Sequence, residues 1–519
     1  MSNSFNILWV DDEIDLLTPY FHFLKSKGYS LQSCSNGIDA LSLIQEHLYD
    51  LVILDENMPG LSGLQVLDEI KKLKPHLPVI MVTKSEEEDI MNSAIGSNIA
   101  DYLIKPVNPN QLLLAIKKVS EKVKLISEKS LQQYQSEFNY LTQKMMNAQN
   151  LEDWKKIYKN ILFFEQQLEQ THNESMLNVL QAQKIEANHI FCKFIKNNYL
   201  QWFSGVQPSL PLISSNLLSK KYFPLLHQHE KVALILIDNL RYDHWEAIAK
   251  LLYSDFIIET DLYTSILPTT TSYARNALFA GLMPSEIEKI FPEIWKNDDD
   301  EGLKNLYEEE LMKRQCARLG IKQPFFFKKI ITNQDGSHFL EQLPNLLQKF
   351  NQGIIIYNFI DILSHSQTES RTMRELANTD EAYRSIVVSW FEHSPLFDLM
   401  KKLAEEKFIL FVTTDHGSIR VENPVKVLGE RNLNTNLRYK QGRNMNYNAK
   451  EVFEVKEPSK VYLPKSMVTA SYIFALNNDF FAYPNNFNQY VGLYRNTFQH
   501  GGVSLDEMLI PYAILKPKL

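Results

Sequence analysis

Long apolar runs, paired cysteines and an excess of positive charge are all missing from this chain. No hydrophobic stretch approaches the roughly 20 residues that a membrane helix needs, so no membrane insertion is expected. Its three cysteines, Cys34, Cys192 and Cys316, lie far apart and match neither a disulfide framework nor a zinc-finger spacing. A formal net charge of -8 excludes a chain-wide bias toward nucleic acid, so any anion-binding surface has to be local. Glycine is absent from Ser97 to Ser204, and proline from Pro109 to Pro208. That gap predicts long helices. The N-terminus enters a strand with an acidic edge at once, unlike a signal peptide, and the cytoplasm is the expected compartment.

What is present is a set of acidic strand ends. The 519 residues argue for several domains. Val232–Ile237 is six apolar residues without alternation, the pattern of a strand buried on both faces, and Asp238 follows at its carboxyl end. Gly353–Ile360 leads to Asp361, with His365 four residues on. Phe408–Thr414 leads to Asp415-His416-Gly417, and His500 stands before Gly501-Gly502. In open α/β sheets this rim is where ligands bind. Mixed oxygen and imidazole donors suit zinc or manganese, and the set is large enough for two divalent ions. Asp361 and His365 share a helix face if a helix starts there. Thr271-Ser272 sits at the expected start of a helix over 274–282, where a hydroxyl meets the favourable end of the dipole.

The first 120 residues repeat the βα pattern. Strands over 6–10, 51–54, 78–82 and 100–104 end on Asp11-Asp12, Asp55, Thr83 and Lys105 respectively. Three carboxylates of this kind suit magnesium, with Lys105 and the ion neutralising a phosphoryl group on Asp55. Between 121 and 205 the spacing predicts a helical bundle that holds Trp154, Phe163 and Phe164 in its core. Residues 206–229, with Pro208, Pro211 and Pro224, read as a linker, and 230–519 as the metal-bearing α/β domain. Residues 286–350 read as an insertion or lid. Residues 420–450 carry seven lysines and arginines against two glutamates. Arg438, Lys440 and Arg443 there are candidate phosphate contacts.

Residues 1–120 resemble a bacterial response-regulator receiver, through Asp11, Asp12, Asp55, Asn57-Met-Pro-Gly60, Thr83, Tyr102 and Lys105-Pro106. The resemblance implies a flavodoxin-like doubly wound parallel sheet and phosphorylation of Asp55 by a sensor histidine kinase. It implies Mg2+ held by Asp12, Asp55 and the Asn57 carbonyl, with Asp11 acting through water. Thr83 and Tyr102 would be the switch pair. Residues 230–517 resemble the alkaline phosphatase superfamily and, within it, the PglZ group. Pro268, Thr271 and Gly281 fit the spacing of related nucleotide phosphodiesterases. That resemblance implies one zinc held by Asp361, His365 and His500. It implies a second held by Asp238, Asp415 and His416, with Thr271 as nucleophile. The order of receiver, bundle and PglZ domain is similar to that of regulators of type IX secretion, and implies dimerisation on phosphorylation.

The expected protein is thus a multidomain α/β response regulator with a two-zinc phosphodiesterase output acting on nucleotide or oligonucleotide diesters. Its alternative is a non-catalytic zinc-containing switch that binds a sigma factor or secretion component. No basic recognition helix suggests direct promoter binding.

Overall fold

A computed structural model describes residues 5–47, 49–74, 77–84, 99–169, 174–205, 210–297, 300, 304–429, 434–465, 469–485 and 487–518. By contact density the chain divides into two units, Met1–Tyr140 with Phe163–Gln181, and Leu141–Leu162 with Ala182–Leu519.

The first unit is built on β1 (Asn6–Val10), β2 (Ser30–Cys34), β3 (Leu51–Asp55), β4 (Val79–Thr83) and β5 (Asp101–Ile104). All are parallel, in the order β2-β1-β3-β4-β5. This is the doubly wound order of flavodoxin-like sheets. Alternation sorts the strand residues onto two faces. Leu8, Val10, Val52 and Leu54 pack toward the helices Gly37–Glu46 and Gly63–Leu73. Ile7, Trp9, Ile53 and Val82 pack toward Thr18–Ser26 and the start of Pro109–Asn147, through Leu112 and Ile116. A Ser62–Gln65 capping box fixes where the helix after the β3 loop begins.

Three long helices follow the last receiver strand: Pro109–Asn147, Leu151–Glu169 and Glu174–Trp202. Trp154 is fully buried against Phe191 and Phe194, whereas Phe163, expected in a core, is 49% exposed. Residues 210–228 were expected as linker. They form short helical turns instead, with Ile213, Leu217 and Leu218 fully buried and Leu212 accepting the amide of Thr264 at 3.0 Å. Pro224 sits in the first turn of the helix Phe223–Gln228, where a missing N–H costs nothing.

The second unit holds the remaining strands. These are β6 (Val232–Ile237), β7 (Phe256–Thr264), β8 (Phe326–Ile330), β9 (Gln352–Tyr357) and β10 (Ile409–Thr413). Short strands follow: β11 (Ile419–Arg420), β12 (Asn423–Lys426), β13 (Tyr439–Gly442) and β14 (Val452–Val455). The last are β15 (Ser471–Ala475), β16 (Asp479–Ala482), β17 (Phe498–Gln499) and β18 (Leu509–Pro517). The main sheet runs β7-β18-β10-β6-β9-β8. β6 lies between β10 and β9 and parallel to both, every residue buried, as its unbroken apolar run predicts. The segment expected as an insertion or lid supplies β8, which extends this sheet parallel to β9. Residues 298–299 and 301–303 of that segment lie outside the described residues.

Two of the helices dock on the turn after His500. Asn188 Oδ1 accepts the Leu505 amide at 2.8 Å, the Cys192 thiol donates to the Val503 carbonyl at 3.1 Å, and the Tyr158 hydroxyl donates to Asp506 at 2.6 Å.

Candidate metal centre and receiver pocket

β6, β9 and β10 run side by side and parallel, so their carboxyl ends bring Asp238, Asp361 and Asp415 to one rim. Asp361 rides on the helix Phe359–Glu369 rather than on β9 itself. Asn239, at φ 60, turns the chain sharply after Asp238. Its amide donates to Asp361 Oδ1 at 3.3 Å and to Ser364 Oγ at 3.1 Å, which ties the ends of β6 and β9 together. Gly417 is required after Asp415-His416, because a Cβ there would stand 2.0 Å from the Asp506 carbonyl oxygen.

Donor atoms converge in two triplets, each within 4.8 Å: Asp238, Asp415 and His416, and Asp361, His416 and His500. His416 belongs to both. His365 stands one step outside, with Nε2 3.5 Å from Asp361 Oδ2, its ring 5.6 Å from that of His500, and its side chain 58% exposed. The imidazoles of His416 and His500 stack 4.2 Å apart. His416 Nδ1 faces the Gly417 carbonyl and His500 Nδ1 the Thr269 carbonyl, both at 3.2 Å. A carbonyl only accepts, so each Nδ1 carries the proton and each Nε2 presents a lone pair to the cluster. Oriented imidazoles with three carboxylates are a donor set that fits divalent metal.

Thr271 opens a π-helical turn, Thr271–Arg275, that leads into the helix Asn276–Ala280. Its hydroxyl lies 3.1 Å from His416 Nε2 and 3.5 Å from Asp238 Oδ1. Four residues on, one turn away, sits Arg275, which the sequence reading did not single out. Fully buried, it pairs with Asp238, meets Asp415 Oδ2 at 2.9 Å and lies 3.8 Å from Glu308 Oε1. Glu308 is itself paired with Lys329 at 2.7 Å. Burial pushes the Asp238 carboxyl well above its ordinary range, with Asp415 and Asp361 adding to the push against Arg275. Burial also works on Asp415, but Arg275 outweighs it and holds that carboxyl low. Burial drives His500 down to about 3, which keeps the ring neutral.

Two of the three proposed phosphate contacts are placed for another task. Arg438 is fully buried, and its guanidinium bonds Glu507 at 2.6 and 3.1 Å and the Asn477 carbonyl at 2.8 Å. Glu507 in turn accepts the Gly502 amide at 2.8 Å and the Ser504 hydroxyl at 2.6 Å, so Arg438 fixes the loop that carries His500. Lys440 is buried as well and donates to the Asn434 carbonyl at 2.6 Å. Both lie in or beside β13, whose neighbours cover the charge that the composition left looking solvated. Arg443 is partly exposed and follows β13, and the charged run continues into residues 430–433, outside the described residues.

In the receiver, Asp11, Asp12 and Asp55 form a third acidic triplet. Lys105 Nζ lies 2.8 Å from Asp11 Oδ2 and 3.1 Å from Asp55 Oδ2. Burial opposes the Lys105 charge, but Asp11 and Asp55 outweigh it and hold the ammonium above its ordinary value. Burial, reinforced by Asp11 and opposed by Lys105, raises the Asp55 carboxyl. Asp55 Oδ1 is buried with no hydrogen-bond partner among the described residues, and this oxygen together with exposed Asp12 fits a magnesium ion. Asn57 is exposed on the β3 loop, Thr83 is buried at the end of β4, and Tyr102 in β5 packs partly against the core.

Among the described residues no helix is long and apolar enough to cross a membrane. Three family models match the chain in succession. Residues 7–117 match the response regulator receiver domain, 124–203 the PorX response regulator linker domain, and 217–515 the BREX system PglZ alkaline phosphatase-like domain. The transcriptional regulatory protein ZraR of Klebsiella oxytoca is 36% identical over 111 residues, 21% of this chain and 25% of that protein. The cyclic di-GMP phosphodiesterase response regulator RpfG of Xanthomonas campestris is 33% identical over 129 residues, 23% of this chain and 34% of that protein. The match therefore spans between a quarter and about a third of these relatives' length. A CheY-like receiver structure from Methanospirillum hungatei is 29% identical and covers 24% of this chain and 98% of its own, with a TM-score of 0.23. With the PglZ model matched over more than half of its length, behind a receiver and a PorX-type linker, the chain belongs to the PglZ alkaline phosphatase-like family, as a response regulator that carries that domain as its output.

Proposed function

We propose that the chain is a two-component regulator whose output domain is a two-zinc phosphodiesterase, controlled by phosphorylation of Asp55. The observation that carries the reading is the place of the Thr271 hydroxyl, 3.1 Å from His416 Nε2, the histidine common to both donor triplets. Asp238, Asp415 and His416 would hold one ion, and Asp361 and His500, with His365 closing from the rim, the other. Bound there, such ions supply Lewis-acid charge to phosphoryl oxygens and lower the pKa of a nearby hydroxyl. The chain's own residues do the rest. Thr271 Oγ1 faces the cluster, where it could give up its proton to solvent and bond to phosphorus as the bond to one ester oxygen breaks and that alcohol leaves, after which water would release the phosphoryl group. Asn239 holds Asp361, and the Gly417 and Thr269 carbonyls hold the two imidazoles. Arg275 holds Asp415 ionised and opposes the burial that pushes the Asp238 carboxyl up.

The proposed substrates are nucleotide or oligonucleotide diesters. A sensor kinase as phosphodonor is supported by the receiver, and the link to type IX secretion and the phosphorylation-driven homodimer belong to the same proposal. Turnover of a chromogenic phosphodiester by the purified full chain, beside the matching monoester and with Thr271→Ala as control, is the direct test. No turnover of either ester by metal-replete protein would leave the zinc-containing binding switch in its place.

A further inference from the structure

Arg374, Arg420 and Arg495 line a cavity of about 420 Å³, and Arg374 reaches back to the carbonyls of Gln367 and Thr368, two and three residues past His365. Each arginine follows or precedes a residue of the centre by a few positions in the chain. Arg374 is in the short helix after Phe359–Glu369, which bears Asp361 and His365. Arg420 ends β11, four residues past His416, so its Cα lies within about 14 Å of that residue's. It pairs across β17 with Phe498, two residues before His500, and Arg495 stands in the turn just ahead of β17.

Carbonyls hold the guanidinium groups of Arg374 and Arg495 and orient them without cancelling their charge, whereas Arg420 pairs loosely with Glu422. Arg374 donates to Gln367 O at 3.2 Å, Gly492 O at 3.3 Å and Thr368 O at 3.4 Å. Arg495 Nε donates to Glu422 O at 2.9 Å. Arg420 Nε is buried with no hydrogen-bond partner among the described residues. Its Nη1 is 3.6 Å from Glu422 Oε1, too long for a hydrogen bond, and the other oxygen of that carboxylate accepts from Asn478 at 3.0 Å. Glu375 also lines the cavity, but it accepts from Arg371 at 2.9 Å. With five N–H donors on each guanidinium, several remain for a ligand, and the volume is that of a small-molecule site. Forked donors of fixed plane match the oxygens of a phosphate.

We infer that this cavity is an anion subsite that takes a second phosphate of the substrate, next to the one held at the donor cluster. It rests on the reading of that cluster as a phosphodiesterase centre. It selects an oligonucleotide, or a dinucleotide with a terminal phosphate, over a diester that carries a single phosphate. The three arginines of the cavity thus take the part that the sequence had assigned to Arg438 and Lys440.

The test measures binding apart from turnover. Full-length Thr271→Ala protein is titrated calorimetrically with a 5′-phosphorylated dinucleotide, with the same dinucleotide lacking that phosphate, and with inorganic phosphate alone. The expected result is a preference of about tenfold or more for the phosphorylated form. Arg420→Ala and Arg495→Ala, the latter an exposed side chain with one backbone bond, should each remove most of that preference. Neither should move the affinity for the unphosphorylated form. A preference that is absent, or that survives both substitutions, overturns the inference. So does inorganic phosphate that binds through these arginines as tightly as the phosphorylated dinucleotide, which would mark an adventitious anion site only. Wild-type protein that shows the arginine-dependent preference yet turns over neither dinucleotide would sink the phosphodiesterase reading and leave the subsite standing.

Discussion

Replacing Arg275 by methionine keeps the buried stem and removes the guanidinium that pairs with both Asp238 and Asp415. Those carboxylates are 2% and 0% exposed, so water cannot take over the lost charge. Deleting one partner of a buried ionic group costs about 3–5 kcal/mol, because the other is left uncompensated. At about 2 °C per kcal/mol for a unit of this size, the melting temperature should fall by roughly 6–10 °C. The same two carboxylates are proposed metal ligands, and a divalent ion would restore much of the missing charge. Scanning calorimetry of full-length wild type and Arg275→Met, each with chelator and with excess zinc, reads both effects. The large deficit should appear under chelator and shrink by at least about half when zinc is added. A deficit below about 2 °C under chelator would refute the charge argument. A deficit of equal size with and without metal would show that Arg275 acts through packing alone.

Other expectations concern single positions. Thr271→Ala should keep the melting temperature and metal content within error while diester turnover drops by about 10³-fold or more, and near-normal turnover would exclude it as nucleophile. Gly417→Ala should destabilise the PglZ domain by about 2–4 kcal/mol in denaturant titrations, since its new Cβ meets backbone rather than a flexible side chain. Beryllofluoride with magnesium should move wild-type chain from monomer toward dimer in light scattering, whereas Asp55→Ala should not respond; an unchanged wild-type mass well above micromolar concentration would rule out the dimer.

The sequence was most readable where chemistry sits at the end of an unbroken apolar run. β6, β9 and β10 announce themselves by composition, and a buried parallel strand has only its carboxyl end on which to show a functional side chain. Asp238, Asp361, Asp415 and the receiver acids are visible for that reason. Arg275 was hidden because its partners lie 37 residues upstream and 140 downstream in the chain, and a lone arginine in a short helix carries no local signal. Arg438 and Lys440 misled in the opposite sense. A basic, asparagine-rich run looks solvated until β15 and the Glu507 turn are seen to cover it. Prolines made residues 210–228 look like linker, although a proline in the first turn is compatible with a helix.

The turn from Val503 to Asp506 is gripped by Tyr158, Asn188 and Cys192, three side chains of the long helices, and begins three residues after His500. Coupling of this kind runs in both directions with equal free energy. If a shift of those helices weakens ligand binding at His500 by some factor, then filling the centre must oppose that same shift by the same factor. On that condition the output domain would also be an input. Its ligand should then slow amide exchange along 182–202, and a pattern of protection that stops short of those helices would show that the turn does not pass the coupling on.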